Sequence, residues 1–525
     1  MKLVSKIVQS LFIALFLFTP IFFTQSNSEL FELPKMYLVY LLTILITTFH
    51  LINYFYKQVP LYKKTFLNIP LLIFLLSQVI STFYSIDPHT SFFGYPSRLN
   101  GGLLSLISYS LLYWILSVYL DQDFKKRVIN TFLLSGFLVS VYGIAQHFGI
   151  DKNWWVQDVQ SRIFSTLGQP NWLAAYLCIL LPFSLYKILN SKTKSINFIV
   201  GNLSLVIFFI TLLFTKSKSG IIACLISLAI YFIFNFIKTK KINKLLILNY
   251  SLLIIFTLLV NNPIKDQLFP LKSDIGNSSL EINNKINITS SGDIRKIVWR
   301  GAIDLWKRFP IFGTGVETFA YSYYWTRPTE HNLTSEWDYL YNKAHNEYIN
   351  YLATTGIIGF ISYSFLIISV LFLIIKNLIK NQKLEIGNLS LAILSSYLSI
   401  LITNFAGFSV VITSLFFFLL PAFLNQDKEF LPSKKIRNWK LEILFIIPLI
   451  IISFLLIKKT ILFYLADITY SQAENYDSRN DYFTALSYIQ TSHKFNPKEP
   501  LYTDKLATIY SKIALNSQDQ QDIDQ

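Results

Sequence analysis

The sequence predicts an all-α membrane protein, a bundle of many membrane-crossing helices. Apolar runs of roughly 17 to 25 residues, the length that crosses a hydrocarbon core of about 30 Å, recur from one end of the chain to the other. Of the 525 residues, 53% are hydrophobic and only 14% are charged. This composition is typical of membrane proteins that cross the bilayer many times, and it excludes an ordinary soluble domain.

Thirteen membrane spans fit the apolar runs. We predict them at residues 4–24, 36–56, 67–85, 101–120, 128–149, 171–189, 196–215, 219–237, 244–261, 350–375, 388–405, 409–424 and 441–463. The first run follows Lys2 and Lys6 but lacks a small-residue cleavage site, so we expect a retained helix rather than a signal peptide.

The lysines indicate the orientation. Short connections alternate between lysine-rich and lysine-poor segments, and the lysine-rich ones belong on the cytoplasmic side. This places the N-terminus on the cytoplasmic side of the cytoplasmic membrane. It places residues 262–349 and the C-terminus on the outer side. The net charge of +16 is explained by these inner segments, so it does not indicate nucleic-acid binding.

The spans divide the chain into four predicted parts: spans 1–9 (1–261), a large outer loop (262–349), spans 10–13 (350–463) and a tail (464–525). Within the loop, Ser290 offers a helix N-cap, and apolar residues recur at helical spacing from Ile294 to Phe309 before Pro310. We expect an amphipathic helix there, lying on the membrane surface.

The tail is similar in spacing to a tetratricopeptide helix pair. The residues that carry this pattern are Tyr482, Ala485, Leu486, Pro497, Tyr502, Leu506, Ala507 and Tyr510. Such repeats rarely stand alone, so the tail would pack on the membrane helices, on a protein partner or on a second copy. A merely amphipathic helical tail is the alternative.

Several cations lie in the outer connections, where the lysine bias disfavours them. Arg162 precedes the sixth span, Lys216 and Lys218 lie at the tight turn after the seventh, and Arg295 lies on the loop helix. Arginine suits oxyanions because its planar guanidinium donates two parallel hydrogen bonds, whereas lysine is a mobile point charge. Together they could bind a pyrophosphate. The alternative for the lysines is snorkelling to the interface.

His345 lies at the end of the polar segment 293–360, directly before an apolar helix. The N-terminus of a helix disfavours the protonated imidazole, and a neutral imidazole can accept a proton from a hydroxyl. His345 is therefore a candidate general base. An interfacial histidine that only makes structural hydrogen bonds is the competing interpretation.

Three motifs together resemble the O-antigen ligase and polymerase superfamily. They are Ile294-Arg295-Lys296-Ile297-Val298-Trp299, Phe309-Pro310-Ile311-Phe312-Gly313-Thr314-Gly315, and His345-Asn346-Glu347-Tyr348 with Gly356-Ile357-Ile358-Gly359. Gln169-Pro170-Asn171 and Ser217-Lys218-Ser219-Gly220 look like two further family motifs. The resemblance covers about residues 1–425.

The resemblance implies a membrane glycosyltransferase that moves glycan from a polyprenyl-pyrophosphate carrier to an acceptor, without a cofactor or an essential metal. It implies His345 as catalytic base and Arg295 as pyrophosphate ligand. Lys218 stands where the family usually has arginine, which keeps the charge but loses the planar fork. Arg162 is a further expected ligand, and the expected supporting residues are Asn171, Asn346 and Lys216.

The acceptor, whether glycan, lipid or protein, stays open. A polymerase that joins lipid-linked repeat units and a protein O-oligosaccharyltransferase fit the same residues. A transporter or lipid flippase is an alternative of another class, and it would predict ionisable residues deep within the spans. A non-catalytic scaffold that uses the tail for docking is a third alternative.

Overall fold

The chain is described by a computed structural model that covers residues 2–56, 59–240, 243–268, 289–380, 384–425 and 439–516. Within these ranges the structure is helical and has no strand. The helices are α1 (Lys2–Ile21), α2 (Glu32–Phe55), α3 (Asn68–Phe83), α4 (Pro88–Phe93), α5 (Leu103–Tyr119), α6 (Gln122–His147), α7 (Pro170–Leu189), α8 (Ile196–Phe214), α9 (Lys218–Thr239), α10 (Lys244–Leu259), α11 (Pro263–Leu268), α12 (Ser291–Arg308), α13 (Phe319–Ser322), α14 (Glu347–Lys380), α15 (Leu384–Phe405), α16 (Val411–Leu419), α17 (Trp439–Asp477), α18 (Tyr482–Phe495) and α19 (Pro500–Asn516).

Each of the thirteen predicted spans coincides with a helix, which confirms the all-α polytopic fold. Among the described residues, nine helices are long and apolar enough to cross a membrane by themselves. The other four positions hold shorter apolar helices, namely α3, α5, α10 and the segment Val411–Leu424. A helix rises 1.5 Å per residue. To span the bilayer, these four helices must therefore run along the bilayer normal, or the bilayer must be locally thin.

Alternate connections meet at one end of the bundle, which we call the cap end because it carries the large loop. Hydrogen bonds join these connections: Ile86 N to Thr314 O (2.9 Å), Asn100 Nδ2 to Ser409 O (3.0 Å), and Arg162 Nε to Thr215 O (2.9 Å). At the opposite end, Asn388 Nδ2 donates to Asn190 Oδ1 at 3.1 Å. The chain thus runs back and forth between two ends, as the alternating lysine pattern predicts.

The expected loop helix is present as α12. Its N-cap is Ser290, whose Oγ accepts a hydrogen bond from Asp293 N at 3.2 Å. Its apolar side is buried against protein rather than lying on a membrane surface, which corrects the sequence-based expectation. The buried residues of this small core are Ile294, Val298, Ala302, Leu305, Phe319, Tyr323, Tyr341, Ala344 and Ala353. Residues 289–346 therefore form a packed cap on the first turns of α14.

The cap is fastened to the membrane helices at a break in α14. At Gly356 the backbone turns to φ 64° and ψ −168°, a conformation available essentially to glycine alone. The break frees polar groups that bond to the cap loop: Ile357 N donates to Pro310 O at 2.9 Å, and Gly315 N donates to Thr354 O at 2.8 Å. The glycine-rich motifs on both segments are thus explained by this close approach of two backbones.

Replacing Gly356 with alanine is expected to destabilise the protein by at least about 2 kcal/mol, since the strained φ and the added methyl group each cost roughly 1–3 kcal/mol. An alanine Cβ there would lie 2.3 Å from the carbonyl oxygen of Ile311. The midpoint of thermal unfolding in detergent should fall accordingly. Gly292→Ala is the matched control, because the nearest atom to its added Cβ is Ser290 Oγ at 3.9 Å. Equal midpoints for the two variants would contradict this account of the break.

The tail packs on the membrane helices. The last membrane helix, α17, continues past residue 463 to Asp477, and α18 and α19 fold back against its outer part. Asp467 on α17 accepts hydrogen bonds from Asn27 Nδ2 at 2.7 Å and from Ser28 N at 3.0 Å, in the connection between α1 and α2. Of the three predicted locations for the tail, the structure shows the membrane domain. A tetratricopeptide motif stays a prediction, and residues 517–525 lie outside the described residues.

Candidate active site

A cavity of about 330 Å³ lies at the cap end, between the cap and the membrane helices. Its walls come from α12, from the cap segment that ends at His345, and from the starts of α7 and α9. The connection between α15 and α16 closes the remaining side. The lining residues are Arg162, Gln169, Asn171, Trp172, Ala175, Ser219, Ser291, Ile294, Arg295, Glu336, Tyr341, His345, Thr403, Ala406, Gly407, Phe408, Val410 and Thr413.

Five helices begin at this cavity. α7, α9, α12 and α16 each contribute a lining residue from the cap position or the first turns, and α14 begins two residues after His345. The N-terminus of a helix carries about half a positive charge, so several N-termini around one space favour an anion there. Side chains cap part of their N–H groups, so the contribution of these helices to the cavity is mainly that of their dipoles.

Arg162 is held in the wall by two other parts of the chain, the turn before α9 and the start of α7. Its Nε donates to Thr215 O at 2.9 Å, and its Nη2 donates to Asn171 Oδ1 at 3.1 Å. Asn171 Oδ1 also accepts a hydrogen bond from Ser217 Oγ at 2.8 Å, which ties the start of α7 to the turn before α9. Burial lowers the pKa of Arg162, and the positive charge of Arg295 lowers it further. Asn171 thus links Arg162 to the turn before α9, and its supporting role stays a prediction.

Arg295 lies on the second turn of α12 and lines the same cavity as Arg162. Its guanidinium makes no hydrogen bond to any residue that the structure describes. Burial lowers the pKa of Arg295, and the nearby Tyr341 and Glu336 act in the opposite direction. Two partly buried arginines that repel each other across a cavity favour an anionic ligand, because its charge would offset the repulsion.

His345 faces the cavity with both ring nitrogens unbonded among the described residues. Its ring contacts Tyr341 and Phe408 edge to face, with centroids 5.5 and 5.3 Å apart. Burial lowers the pKa of His345 to about 4, and the charges of Arg295 and Arg98 contribute to the shift. The imidazole is therefore neutral at physiological pH and can accept a proton.

The backbone around His345 is fixed from both sides. His345 has a left-handed φ of 53°, and the carbonyl of the preceding Ala344 accepts a hydrogen bond from Trp299 Nε1 at 3.0 Å. On the other side Asn346 caps α14, since its Oδ1 accepts from Tyr348 N and Ile349 N at 3.0 and 3.1 Å. Asn346 thus fixes the start of α14 directly after the histidine.

Known proteins can now be compared with this geometry. Residues 203–364 match the family described as O-antigen ligase. This segment is similar to an O-antigen ligase domain. The resemblance to the O-antigen ligase superfamily is thereby confirmed over a shorter range than residues 1–425, and no curated protein matches the chain. The superfamily consists of membrane glycosyltransferases, which agrees with the multi-pass helical fold.

The segment that matches the O-antigen ligase family supplies Ser219, α12 and His345 to the cavity, but it does not contain the whole site. Arg162, Asn171 and Phe408 lie outside residues 203–364. The cavity is thus completed by helices on both sides of the matched segment. It also depends on a buried network at the start of α2, where Lys35 Nζ donates to Thr166 O at 2.7 Å.

That network shapes two walls of the cavity. Lys35 binds the segment that leads into α7, and on the same helix Glu32 Oε2 accepts a hydrogen bond from Val411 N, at the start of α16, at 2.7 Å. Both side chains are fully buried. Truncating either one would leave a buried polar partner unsatisfied and would loosen a wall, although neither side chain lines the cavity.

Lys218 and Lys216 are not among the lining residues. Lys218 is exposed at the first position of α9, while its neighbour Ser219 lines the cavity. Lys216 Nζ lies 3.4 Å from Ser161 Oγ, outside the cavity wall. The structure therefore brings together His345, Arg295, Arg162 and Asn171 but not the two lysines, and the roles of all six residues stay predictions.

Arg98 is a residue that sequence reasoning missed. It lies between α4 and α5, and its guanidinium stacks on Trp172 and Phe408, with Cζ 5.2 and 4.9 Å from the ring centroids. Both rings line the cavity, and Phe408 also contacts His345. Its Nη1 is buried without a hydrogen-bond partner in the described part of the chain. The only sequence signal was an arginine in a connection where the lysine bias disfavours cations.

Proposed function

We propose that this protein transfers a glycan from a polyprenyl-pyrophosphate carrier to an acceptor hydroxyl on the outer side of the cytoplasmic membrane. The observation that carries the proposal is the cavity itself, where a neutral histidine with two unbonded nitrogens faces two arginines and several helix N-termini. These are the groups that a base-assisted displacement of a pyrophosphate requires.

The chemistry is a single displacement. The acceptor oxygen attacks the anomeric carbon, its proton passes to His345, and the bond between that carbon and the pyrophosphate oxygen breaks. Arg295 and Arg162 stabilise the negative charge that develops on the leaving pyrophosphate. Because the nucleophile enters opposite the leaving group, the configuration at the anomeric carbon inverts. The proposal needs no metal ion and no cofactor.

The size of the cavity supports binding of the reacting end of the donor only. Pockets for small ligands hold about 300–1,000 Å³, and this cavity of about 330 Å³ is at the lower limit. It accommodates a pyrophosphate and an adjoining sugar, while the polyprenyl chain and the rest of the glycan would extend outside. The cavity therefore does not select among a ligase, a polymerase and a protein O-oligosaccharyltransferase.

The product identifies the reaction. Purified protein in detergent is supplied with a polyprenyl-pyrophosphate glycan and candidate acceptors, and mass spectrometry shows which molecule gains the glycan. A ligase moves it to a new acceptor, a polymerase lengthens the chain on the lipid, and a protein glycosyltransferase modifies serine or threonine. Movement of the intact lipid-linked glycan across the membrane of a vesicle, without any glycan transfer, would instead support the alternative that the protein is a transporter.

The pH dependence of transfer should show the lowered pKa of His345. The acid limb of kcat/KM, which reports the free enzyme, is expected near the pKa of about 4 rather than near the ordinary value of 6.5. The acid limb of kcat should lie at higher pH, because the bound pyrophosphate offsets the arginine charges that depress the pKa. Steady-state rates across pH test this. If the acid limbs of kcat/KM and kcat coincided near pH 6.5, the lowered pKa of His345 would be contradicted.

A further inference from the structure

A second cavity lies at the end of the bundle opposite the cap and holds about 370 Å³. It is formed by the segment that leads into α3, the last turns of α14 and the end of the 3₁₀ helix Leu420–Leu424. Its lining residues are Lys63, Lys64, Thr65, Phe66, Leu373, Lys376, Asn377, Lys380, Leu424 and Asn425.

The position of this cavity follows from α3 and α14, which both run from this end of the bundle to the cap. At its other end α3 reaches the cap, where Ser81 Oγ donates to Phe312 O at 3.0 Å. α14 likewise begins in the cap beside His345 and ends at Lys380. The second cavity is therefore a full helix length away from the candidate active site, at the end that the lysine distribution assigns to the cytoplasm.

The charge of this cavity has one sign. Four lysines line it, and none of its described lining residues is acidic. Lys376 and Lys380 are four residues apart on one face of α14, where like charges repel each other. Both of these lysines are exposed at the mouth of the cavity. A bound anion would offset this repulsion.

The rest of the lining is partly apolar and is held in place. Asn377 Nδ2 donates to Leu424 O at 2.8 Å, which ties α14 to the 3₁₀ helix. Phe66 packs against Phe372 with ring centroids 5.5 Å apart, and about half of each side chain is exposed on the outer surface of the bundle. The cavity thus places exposed lysines beside an apolar lip formed by the two phenylalanines.

We propose that this cavity binds the phosphate of an anionic phospholipid, with Lys64, Lys376 and Lys380 on the headgroup and the phenylalanine lip against an acyl chain. Cationic pockets between membrane helices on the cytoplasmic side are suited to such headgroups. A water-soluble phosphate would satisfy the lysines equally well but would leave the apolar lip unused. The proposal is independent of the transfer reaction, since no residue of this cavity lies in the candidate active site.

Native mass spectrometry of the full-length protein, titrated with phosphatidylglycerol or phosphatidylcholine, tests the proposal. Wild-type protein should retain phosphatidylglycerol in preference to phosphatidylcholine. The double variant Lys376→Gln with Lys380→Gln should bind it about tenfold or more weakly, because each lysine near an anionic headgroup contributes strongly to binding. The matched control is Lys192→Gln with Lys194→Gln, which removes two exposed lysines from the connection between α7 and α8 at the same end.

Two outcomes would overturn the proposal. Equal losses in the two double variants would mean that general surface charge, not this cavity, attracts the lipid. Displacement of phosphatidylglycerol by inorganic phosphate or pyrophosphate at comparable concentration would identify a site for a soluble anion. The unfolding midpoints of both variants are compared with wild type, so that lost binding is not mistaken for lost folding.

Discussion

Replacing His345 with alanine is expected to abolish glycan transfer while the protein remains folded. The proposed base contributes about 10²–10⁴-fold to the rate, and no other histidine lines the cavity among the described residues. Among the described residues the side chain makes no hydrogen bond, so its loss leaves no polar partner unsatisfied. Initial rates of glycan transfer by purified protein, together with the unfolding midpoint, measure the two effects separately.

The matched control is His493→Ala, which removes a partly exposed histidine from α18 in the tail. It should transfer glycan at the wild-type rate. Full activity of His345→Ala would remove the histidine from the mechanism and leave the arginines as the only assigned groups. Loss of folding in that variant would be resolved with His345→Gln, which keeps an uncharged polar side chain of similar reach but cannot act as a base.

Arg295→Gln is expected to lower kcat by about 10²–10³-fold, the usual loss when one donor to a developing oxyanion is removed. Because the arginine makes no hydrogen bond to described residues, the substitution breaks no hydrogen bond within the cap. It also removes a charge that depresses the pKa of His345, so the acid limb of kcat/KM should move to higher pH. Transfer rates measured across pH follow both changes.

Two variants on the same helix make the test specific. Arg295→Lys keeps the charge but loses the planar fork, so it should restore the low pKa of His345 and only part of the rate. Arg300→Gln breaks an exposed ion pair with Glu330, at 3.1 Å, that is worth at most about 1 kcal/mol. It should leave transfer unchanged. A rate for Arg295→Gln equal to that of Arg300→Gln would show that Arg295 does not bind the donor.

The helices were predictable because the bilayer imposes a length and a polarity on every segment that crosses it. The N-cap at Ser290 and the apolar spacing that follows were likewise sufficient to predict α12, since capping and periodicity are local properties. What covers the apolar side of α12 was not predictable. A membrane surface and a protein core satisfy the same periodicity, and only the folded cap shows that Tyr323, Tyr341 and Ala353 lie there.

The candidate site was likewise predictable only in part from the sequence. The sequence by itself determined that a histidine and several arginines would lie at one end of a helical bundle, because residue type and charge bias are readable along the chain. Only the tertiary structure decided which of them share a cavity. Successive residues of a helix point about 100° apart, so Ser219 lines the cavity while Lys218 is exposed beside it. Arg98 was missed because its partners, Trp172 and Phe408, are far away in sequence and meet it only when the helices pack.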